Sequence, residues 1–201
     1  MSERSWVRRF EEIGIGDRPV AGGKGASLGE LLRAGIAVPP GCVVTTDAFR
    51  HFLDACDRGH AMRRRIEALS ADDLDALAAA SADARALVEQ ADLPAALYED
   101  IAAGIGRICD GDATAPMAVR SSATSEDSAE ASFAGLQDTY LWIRGVDAVV
   151  RHMRKCCASL YSVESVSYRR RLQMPEDGLA MAVVIQRMVD ARSSGVMFTR
   201  S

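Results

Sequence analysis

The most constraining feature of this sequence is a run of small and hydroxyl-bearing residues between two apolar segments. It extends from Met117 to Leu141 and reads MAVRSSATSEDSAEASFAGLQDTYL. The apolar run before Arg120 predicts a short strand with an arginine at its end. Small residues let backbone N–H groups approach a ligand closely, and hydroxyl groups such as those of Ser121 and Ser122 can donate hydrogen bonds to phosphate oxygens. Because a planar guanidinium also matches phosphate, the stretch favours an anion site.

The same composition is typical of an ordinary polar surface loop, so a second segment is needed to choose between the two interpretations. That segment is AGGKGASLGELL, residues 21–32. The spacing of its leucines predicts a helix that starts close to Lys24 and ends at Gly35. Lys24 and its neighbouring glycines would then lie at a helix N-terminus, where free N–H groups and the helix dipole attract anions. A tight turn before a helix is the alternative that needs no ligand.

Lysine is rare in this chain, which makes its presence in a glycine cluster informative. Of the 24 basic residues, 22 are arginines and two are lysines, Lys24 and Lys155. A compact ammonium group is therefore favoured at position 24. The segment is not a Walker A loop, because Gly25 follows the lysine where Ser or Thr is required. It is not a GxGxxG dinucleotide fingerprint either.

Composition excludes several classes of protein. The 201 residues are 48% hydrophobic and 26% charged, as expected for one large or two small folded domains. The formal net charge of −4 argues against a nucleic-acid partner. The longest apolar run, 179–185, is too short to span a membrane, and residues 1–12 lack an apolar signal-peptide core. We therefore expect no membrane association and a cytoplasmic location. The five cysteines and three histidines lack metal-ligand spacing, so no metal site is predicted.

Hydrophobic periodicity and turn signals predict a mixed α+β fold. Helices are expected in the alanine-rich region 60–110 and over 146–160, and Ser162 is a candidate cap for another helix. The basic run Arg169–Arg171 is interpreted as a solvated helix end, with contact to phosphate as the alternative. Strands are expected at 42–45, 117–120, 140–143, 180–188 and 196–199.

Four segments resemble the N-terminal ATP-binding domain of the phosphoenolpyruvate synthase and pyruvate phosphate dikinase family, which rifampicin phosphotransferase shares. They are GGKGASLGELLRAGIAVPPGCVVTTDAF, AVRSSATSEDSAEASFAGLQDTYL, SYRRR and AVVIQRMVDARSSGVMFTRS. The resemblance implies a partial ATP-grasp-like fold over residues 1–201. It divides the chain into a mainly helical insert at 60–110 and a strand-rich nucleotide-binding region at 117–201.

The resemblance also implies roles for individual residues. Lys24, next to Gly23, and Arg120 match the family's catalytic, phosphate-binding lysine and arginine. Residues 132–139 match its glycine-rich phosphate loop, and 186–189 match the linker that receives adenine. The implied cofactor-binding residues are Gly23, Lys24, Arg120, Ser132, Gly135, Gln137, Thr139, Gln186, Arg187, Met188 and Val189.

In this family, Mg²⁺ ligands come from a later part of the ATP-binding domain, and a separate swivelling domain carries a phosphorylated histidine. We therefore expect a truncated, catalytically incomplete domain with Mg²⁺ ligands outside it. An exposed strand edge near Val196–Phe198 would favour self-association or association with the remaining domains.

Three functions remain open from the sequence. One is an ATP-dependent phosphotransferase of the phosphoenolpyruvate synthase type that passes phosphate through histidine to pyruvate. Another uses the same nucleotide chemistry with a rifampicin-type acceptor. The third is a non-catalytic nucleotide-binding module.

Overall fold

The computed structural model describes residues 6–112, 114–124 and 138–195. The strands are β1 (Val7–Arg9), β2 (Gly41–Val44), β3 (Met117–Ala123), β4 (Thr139–Ile143) and β5 (Met181–Arg187). The helices are α1 (Arg18–Arg33), α2 (Thr46–Cys56), α3 (Ala61–Glu67), α4 (Leu74–Gln90), α5 (Ala95–Ile108), α6 (Val146–Ser159) and α7 (Val163–Arg171). Short 3₁₀ turns at Phe10–Glu12 and Ile15–Asp17 join β1 to α1.

In the described part of the chain, the strands form one antiparallel sheet in the order β1-β2-β5-β3-β4. The predicted α+β class is confirmed. β5 lies at the centre, between β2 and β3. β4 lies at the edge next to β3, where its register shifts between Met117 and Val119 and leaves Trp142 at a φ of 61°.

The two faces of the sheet bury different sets of side chains because successive strand residues alternate in direction. On β5, Met181, Val183 and Ile185 join the larger core under α2 and α4–α7. Ala182 and Val184 face the other way and pack in a smaller cluster with Ala21 of α1. α1 therefore covers one face of the sheet, which is the face that concerns the site.

The helical predictions agree well with the structure. α3, α4 and α5 occupy residues 61–108, and α6 occupies 146–159. Ser162 caps α7, since its side chain accepts a hydrogen bond from the amide of Ser165. α1 ends at Arg33, and the amides of Gly35 and Ile36 bond to the carbonyls of Leu32 and Leu31. This is a Schellman cap with Gly35 in the left-handed conformation, as the sequence predicted. The division of the chain into domains stays a prediction.

One strand, β1, was not predicted, and another, β3, was predicted to end too early. β1 was not predicted, because a three-residue edge strand is too short to show alternation. The strand predicted to end at Arg120 continues through Ser121, Ser122 and Ala123, all of them buried. These residues form ladder pairs with β5, so Arg120 lies within the strand.

The prediction of a solvated basic helix end was also wrong for one of its three residues. Arg169 is completely buried and makes a bidentate ion pair with Glu176, Nε to Oε1 and Nη2 to Oε2, each at 3.0 Å. Its Nη1 donates to the carbonyl of Leu160 at 2.6 Å. Arg171 is exposed, as expected. The alternative, a phosphate contact, is excluded for Arg169 by these internal bonds.

Some predictions fall outside the described residues. They concern Ser132, Gly135 and Gln137 of the phosphate loop, and the strand and exposed edge predicted at 196–199. The described structure does not test these predictions.

Candidate functional site

The helix that carries Lys24 starts anew just before it. α1 is interrupted at Gly22, whose φ of 68° and ψ of 175° are not helical. A second helical segment begins at Gly23, so Gly23, Lys24 and Gly25 contribute its first three amides. The helix start predicted close to Lys24 is thus present, although a further helical turn precedes it. Lys24 itself is half-buried.

Close packing explains part of the glycine cluster. A Cβ atom on Gly22 would collide with the carbonyl and hydroxyl oxygens of Ser122, and the positive φ disfavours a side chain there in any case. A Cβ atom on Gly25 would lie 2.9 Å from Cγ2 of Val43. These glycines let α1 lie directly on the sheet, so their presence does not by itself require a ligand.

The hydroxyl groups of Ser121 and Ser122 form bonds within the protein. Ser122 Oγ donates to the carbonyl of Ala21 at 2.9 Å and accepts from the amide of Gly25 at 3.2 Å. Ser121 Oγ donates to the carbonyl of Asp138 at 3.2 Å. Both serines are fully buried. The expectation that these two hydroxyls face a phosphate group is therefore corrected: they stabilise the fold around the site.

Arg120 lies on the face of the sheet that α1 covers. It is two residues from Ser122 on β3, and alternation places both on the same face. Its ladder partners are Val184 on β5 and Thr139 on β4. The Nε atom of Arg120 is buried and has no hydrogen-bond partner within the described ranges. A buried guanidinium N–H without a partner is uncommon, and it is a feature that an anionic ligand can satisfy.

Thr139 is a second polar residue next to Arg120. It is exposed on β4 directly opposite Arg120. Lys24 lies beside the same part of β3, because the amide of the next residue, Gly25, bonds to Ser122 Oγ. Burial raises the pKa of the Cys156 thiol to about 12, and the positive charge of Lys24 opposes that rise. The Cys156 Sγ atom lies 3.9 Å from the carbonyl of Asp138, the residue before β4.

The segment predicted to receive adenine lies farther along β5. Gln186 is 8% exposed, and its Nε2 donates to the carbonyl of Pro39 at 3.2 Å. The amides of Arg187 and Met188 donate to the carbonyls of Pro40 and Pro116, each at 2.9 Å. Val189 is exposed.

The register between β3 and β5 gives the position of Gln186 relative to Arg120. Gln186 pairs with Ala118, and Ala182 pairs with Ser122. Arg120 pairs with Val184, so two residues of strand separate its level from that of Gln186, a distance of about 7 Å at about 3.3 Å per residue. Gln186 and Arg120 share a face of the sheet because their ladder positions differ by two.

The described residues show neither a metal-binding cluster nor a helix that could span a membrane. They contain no group of three or more His, Cys, Asp or Glu side chains placed to hold a metal ion. None of the helices in the ranges the structure describes combines the length and apolar character needed to cross a membrane.

The fold is a mixed α+β domain with a five-stranded antiparallel sheet among the described residues, and the family match identifies it as a nucleotide-binding domain of the ATP-grasp type. Residues 18–201 match the model of the pyruvate phosphate dikinase AMP/ATP-binding domain. The chain belongs to this family, the ATP-binding domain of the phosphoenolpyruvate synthase and pyruvate phosphate dikinase group.

Relatives of known annotation agree with this assignment. The chain is 44% identical over 196 residues to a probable phosphoenolpyruvate synthase of Methanocaldococcus jannaschii, covering 96% of this chain and 16% of that protein. It is 43% identical over 197 residues to the rifampicin phosphotransferase of Streptomyces sviceus, covering 96% of this chain and 22% of the relative. For the Deinococcus radiodurans phosphoenolpyruvate synthase the identity is 40% over 199 residues, covering 96% and 25%. The chain thus spans a quarter or less of the length of these three relatives.

Proposed function

We propose that the α1-covered face of the sheet holds the phosphate groups of ATP between Lys24, Arg120 and Thr139. The observation that carries this proposal is the placement of Lys24 and Arg120 around one contact, that of Ser122 with both sides of the break in α1. The unpartnered Nε of Arg120 supports it, since phosphate oxygens accept from such a group.

Each residue would contribute a different interaction. The ammonium of Lys24 supplies a compact charge at a helix N-terminus, where the amide of Gly23 and the helix dipole add to the attraction for an anion. Arg120 supplies a planar fork fixed within a strand, which orients a phosphoryl group as well as neutralising it. The Thr139 hydroxyl is exposed beside that fork and can donate to a phosphate oxygen. Phosphoryl transfer depends chiefly on this kind of positioning and charge stabilisation.

The adenine base would lie against residues 186–189, a segment that begins about 7 Å along the strand from the level of Arg120. The amides of Arg187 and Met188 are already bonded to proline carbonyls. Adenine recognition at this segment therefore falls to carbonyl groups and to the amide of Val189. Ser132, Gly135 and Gln137 are proposed to cover the phosphates, as the family resemblance implies.

For the complete reaction we propose the phosphoenolpyruvate synthase type, in which ATP is cleaved and phosphate reaches pyruvate through a histidine in another domain. A rifampicin-type acceptor is the second candidate, because identity to the rifampicin phosphotransferase, 43%, is close to the 44% for the archaeal synthase. A non-catalytic nucleotide-binding module is the third. Magnesium has no ligand set in the described residues, and its ligands are assigned to a later part of the family's domain. A cytoplasmic location is proposed on the sequence alone.

The central test is Lys24→Ala with Lys155→Ala as its control. Lys155 is the other lysine of the chain and lies over the Tyr140 ring, 5.8 Å from its centroid. In the complete encoded polypeptide, Lys24→Ala should weaken ATP binding by about 1–3 kcal/mol, the range for a charge-assisted contact. Lys155→Ala should leave it unchanged. Equal ATP affinities of the wild type and Lys24→Ala in calorimetry would refute the assignment of Lys24.

The acceptor is tested separately. The complete polypeptide is assayed with ATP and magnesium and with pyruvate or rifampicin, and the phosphorylated product is identified. Residues 1–201 alone are expected to bind ATP weakly and to release no AMP or phosphate catalytically. Sustained turnover by residues 1–201 that Lys24→Ala abolishes would show that this chain is a complete catalyst.

A further inference from the structure

The amide at the third position of the second α1 segment is satisfied by a residue from another element. In many helices the N-cap residue accepts this bond with its own Ser, Thr, Asp or Asn side chain. Here the cap position is Gly22, which has no side chain. Ser122 of β3 accepts from the Gly25 amide in its place, at 3.2 Å.

Ser122 also holds the other side of the break. Its hydroxyl donates to the carbonyl of Ala21, the last residue before Gly22, at 2.9 Å. The close approach of Gly22 to Ser122 leaves no space for a Cβ atom at position 22. A single hydroxyl therefore fixes both the end of the first helical segment and the start of the second.

The two residues proposed to bind phosphate are attached to the two sides of this contact. Lys24 lies between Gly23 and Gly25 on the segment that Ser122 caps, and Arg120 lies two residues before Ser122 on the same face of β3. Ser122 is completely buried, so it acts through these neighbours.

We propose that Ser122 is a positioning residue that sets the distance and orientation of Lys24 relative to Arg120, and so the geometry in which phosphate is bound. This inference rests on the proposed ATP site. Loss of the hydroxyl leaves the buried Gly25 amide without its acceptor and allows the start of the second segment to shift. Lys24 and Arg120 both remain charged, but they are held less firmly in the geometry that binds phosphate.

The experiment compares Ser122→Ala with Ser81→Ala in the complete encoded polypeptide. Ser81 is a suitable control because it is also buried and donates to a backbone carbonyl, that of Tyr161, in the core on the other side of the sheet. Both variants should lower Tm to a similar extent. Below the transition, Ser122→Ala should weaken ATP binding about tenfold, and Ser81→Ala should leave it within about twofold.

A double-mutant cycle with Lys24→Ala separates positioning from general destabilisation. If Ser122 acts by placing Lys24, Lys24→Ala should cost much less ATP affinity in the Ser122→Ala background than in the wild type. Fully additive losses would overturn the inference, as would an equal loss of ATP binding in Ser81→Ala. If Lys24→Ala alone has no effect, the proposed ATP site fails before the inference is reached.

Ser122→Cys provides a second variant should Ser122→Ala not fold. The thiol keeps a group that can donate and accept at this position, although its sulfur is larger than oxygen and forms weaker hydrogen bonds. Its ATP affinity should lie between those of the wild type and Ser122→Ala. A folded Ser122→Cys protein with wild-type ATP affinity would contradict the proposed role of the hydroxyl.

Discussion

Arg120 and Arg169 both lie within helices or strands of the described structure, but the hydrogen bonds of their guanidinium groups differ. Arg169 is completely buried, and its guanidinium donates to both oxygens of Glu176 and to the Leu160 carbonyl. Arg120 is half-buried, and its Nε has no partner among the described residues. The guanidinium of Arg169 is bonded within the fold, whereas the Nε of Arg120 is not, which is why we propose Arg120 as a ligand-binding residue.

The difference shows why arginine content alone does not locate an anion site. This chain contains 22 arginines, and Arg169 and Arg120 differ in whether their guanidinium donors are bonded. An arginine whose donors are bonded inside the fold contributes to stability, and its removal leaves a buried carboxylate unpaired. An arginine with an unbonded donor near the surface contributes little to stability, and that donor can bind a ligand. The two kinds of arginine should therefore respond to mutation in opposite ways.

The largest expected effect is on stability, from Arg169→Met. The variant leaves Glu176 buried without its charge partner, which should lower the free energy of unfolding by about 3–5 kcal/mol. Urea denaturation at neutral pH measures this loss. The double variant Arg169→Met/Glu176→Leu should recover much of it, because the unpaired buried charge is gone. A loss below about 1 kcal/mol for Arg169→Met would show that the Arg169–Glu176 pair contributes no more to stability than a surface ion pair.

The second effect should appear in binding, from Arg120→Lys. Lysine keeps the charge but loses the planar fork, so ATP affinity should fall by about 1.5–3 kcal/mol. Stability should change little, because the unpaired Nε is removed along with its desolvation cost. Calorimetric ATP titration and urea denaturation of the same samples test both statements. Restored ATP affinity with lysine would show that charge alone is recognised at position 120.

Tyr161 offers a smaller test beside Arg169. It is buried next to the Arg169 guanidinium, 5.8 Å from the ring centroid, and its hydroxyl has no partner among the described residues. Tyr161→Phe removes an unsatisfied buried group and should stabilise the protein by about 1 kcal/mol. A destabilisation in urea unfolding would indicate that the hydroxyl has a bonding partner, such as a bound water molecule.

The smallest effect is expected at a third arginine, Arg8, which pairs with Asp17 at 3.1 Å near the surface. A hydrogen bond from the Gly14 amide, opposed by partial burial and assisted by Arg8, lowers the pKa of Asp17. A lowered pKa stabilises the fold above the unfolded value of about 3.9, and this contribution is lost as pH falls through the folded value.

Asp17→Asn should therefore lower stability at pH 7 by about 0.5 kcal/mol, a typical value for a surface pair. Thermal unfolding at pH 7 and below pH 4 measures the effect, and the difference from the wild type should shrink in acid. A difference that does not depend on pH would exclude the charge of Asp17 as its cause.

The sequence predicted those elements whose signals are local. α6 shows a repeating apolar face, Gly35 ends α1, and Ser162 caps α7, and each can be recognised within a few residues. The family and the mixed α+β class were also identified from short segments. These features depend little on which distant residues they meet.

The errors arose where a residue's role depends on a distant partner. Ser121 and Ser122 suggested a loop because small hydroxyl residues favour turns, but here their hydroxyls bond to the backbone of other elements inside the core. Arg169 suggested a solvated helix end because its partner Glu176 lies beyond the helix. A buried ion pair cannot be recognised until the chain returns on itself. The same limit explains why the capping role of Ser122 had no sequence signal, although the glycine it serves was conspicuous.

The shifted register of β4 has a practical consequence for spectroscopy. Trp142, in the left-handed conformation on this edge strand, is half exposed and lies three residues from Thr139. The other tryptophan of the chain, Trp6, stacks on His51 with ring centroids 4.7 Å apart. The protein therefore carries one fluorophore in contact with solvent on the strand that reaches the proposed phosphate site, and another held against an aromatic neighbour. In a Trp6→Phe protein all tryptophan fluorescence would come from Trp142, so it would report on β4 without any attached dye.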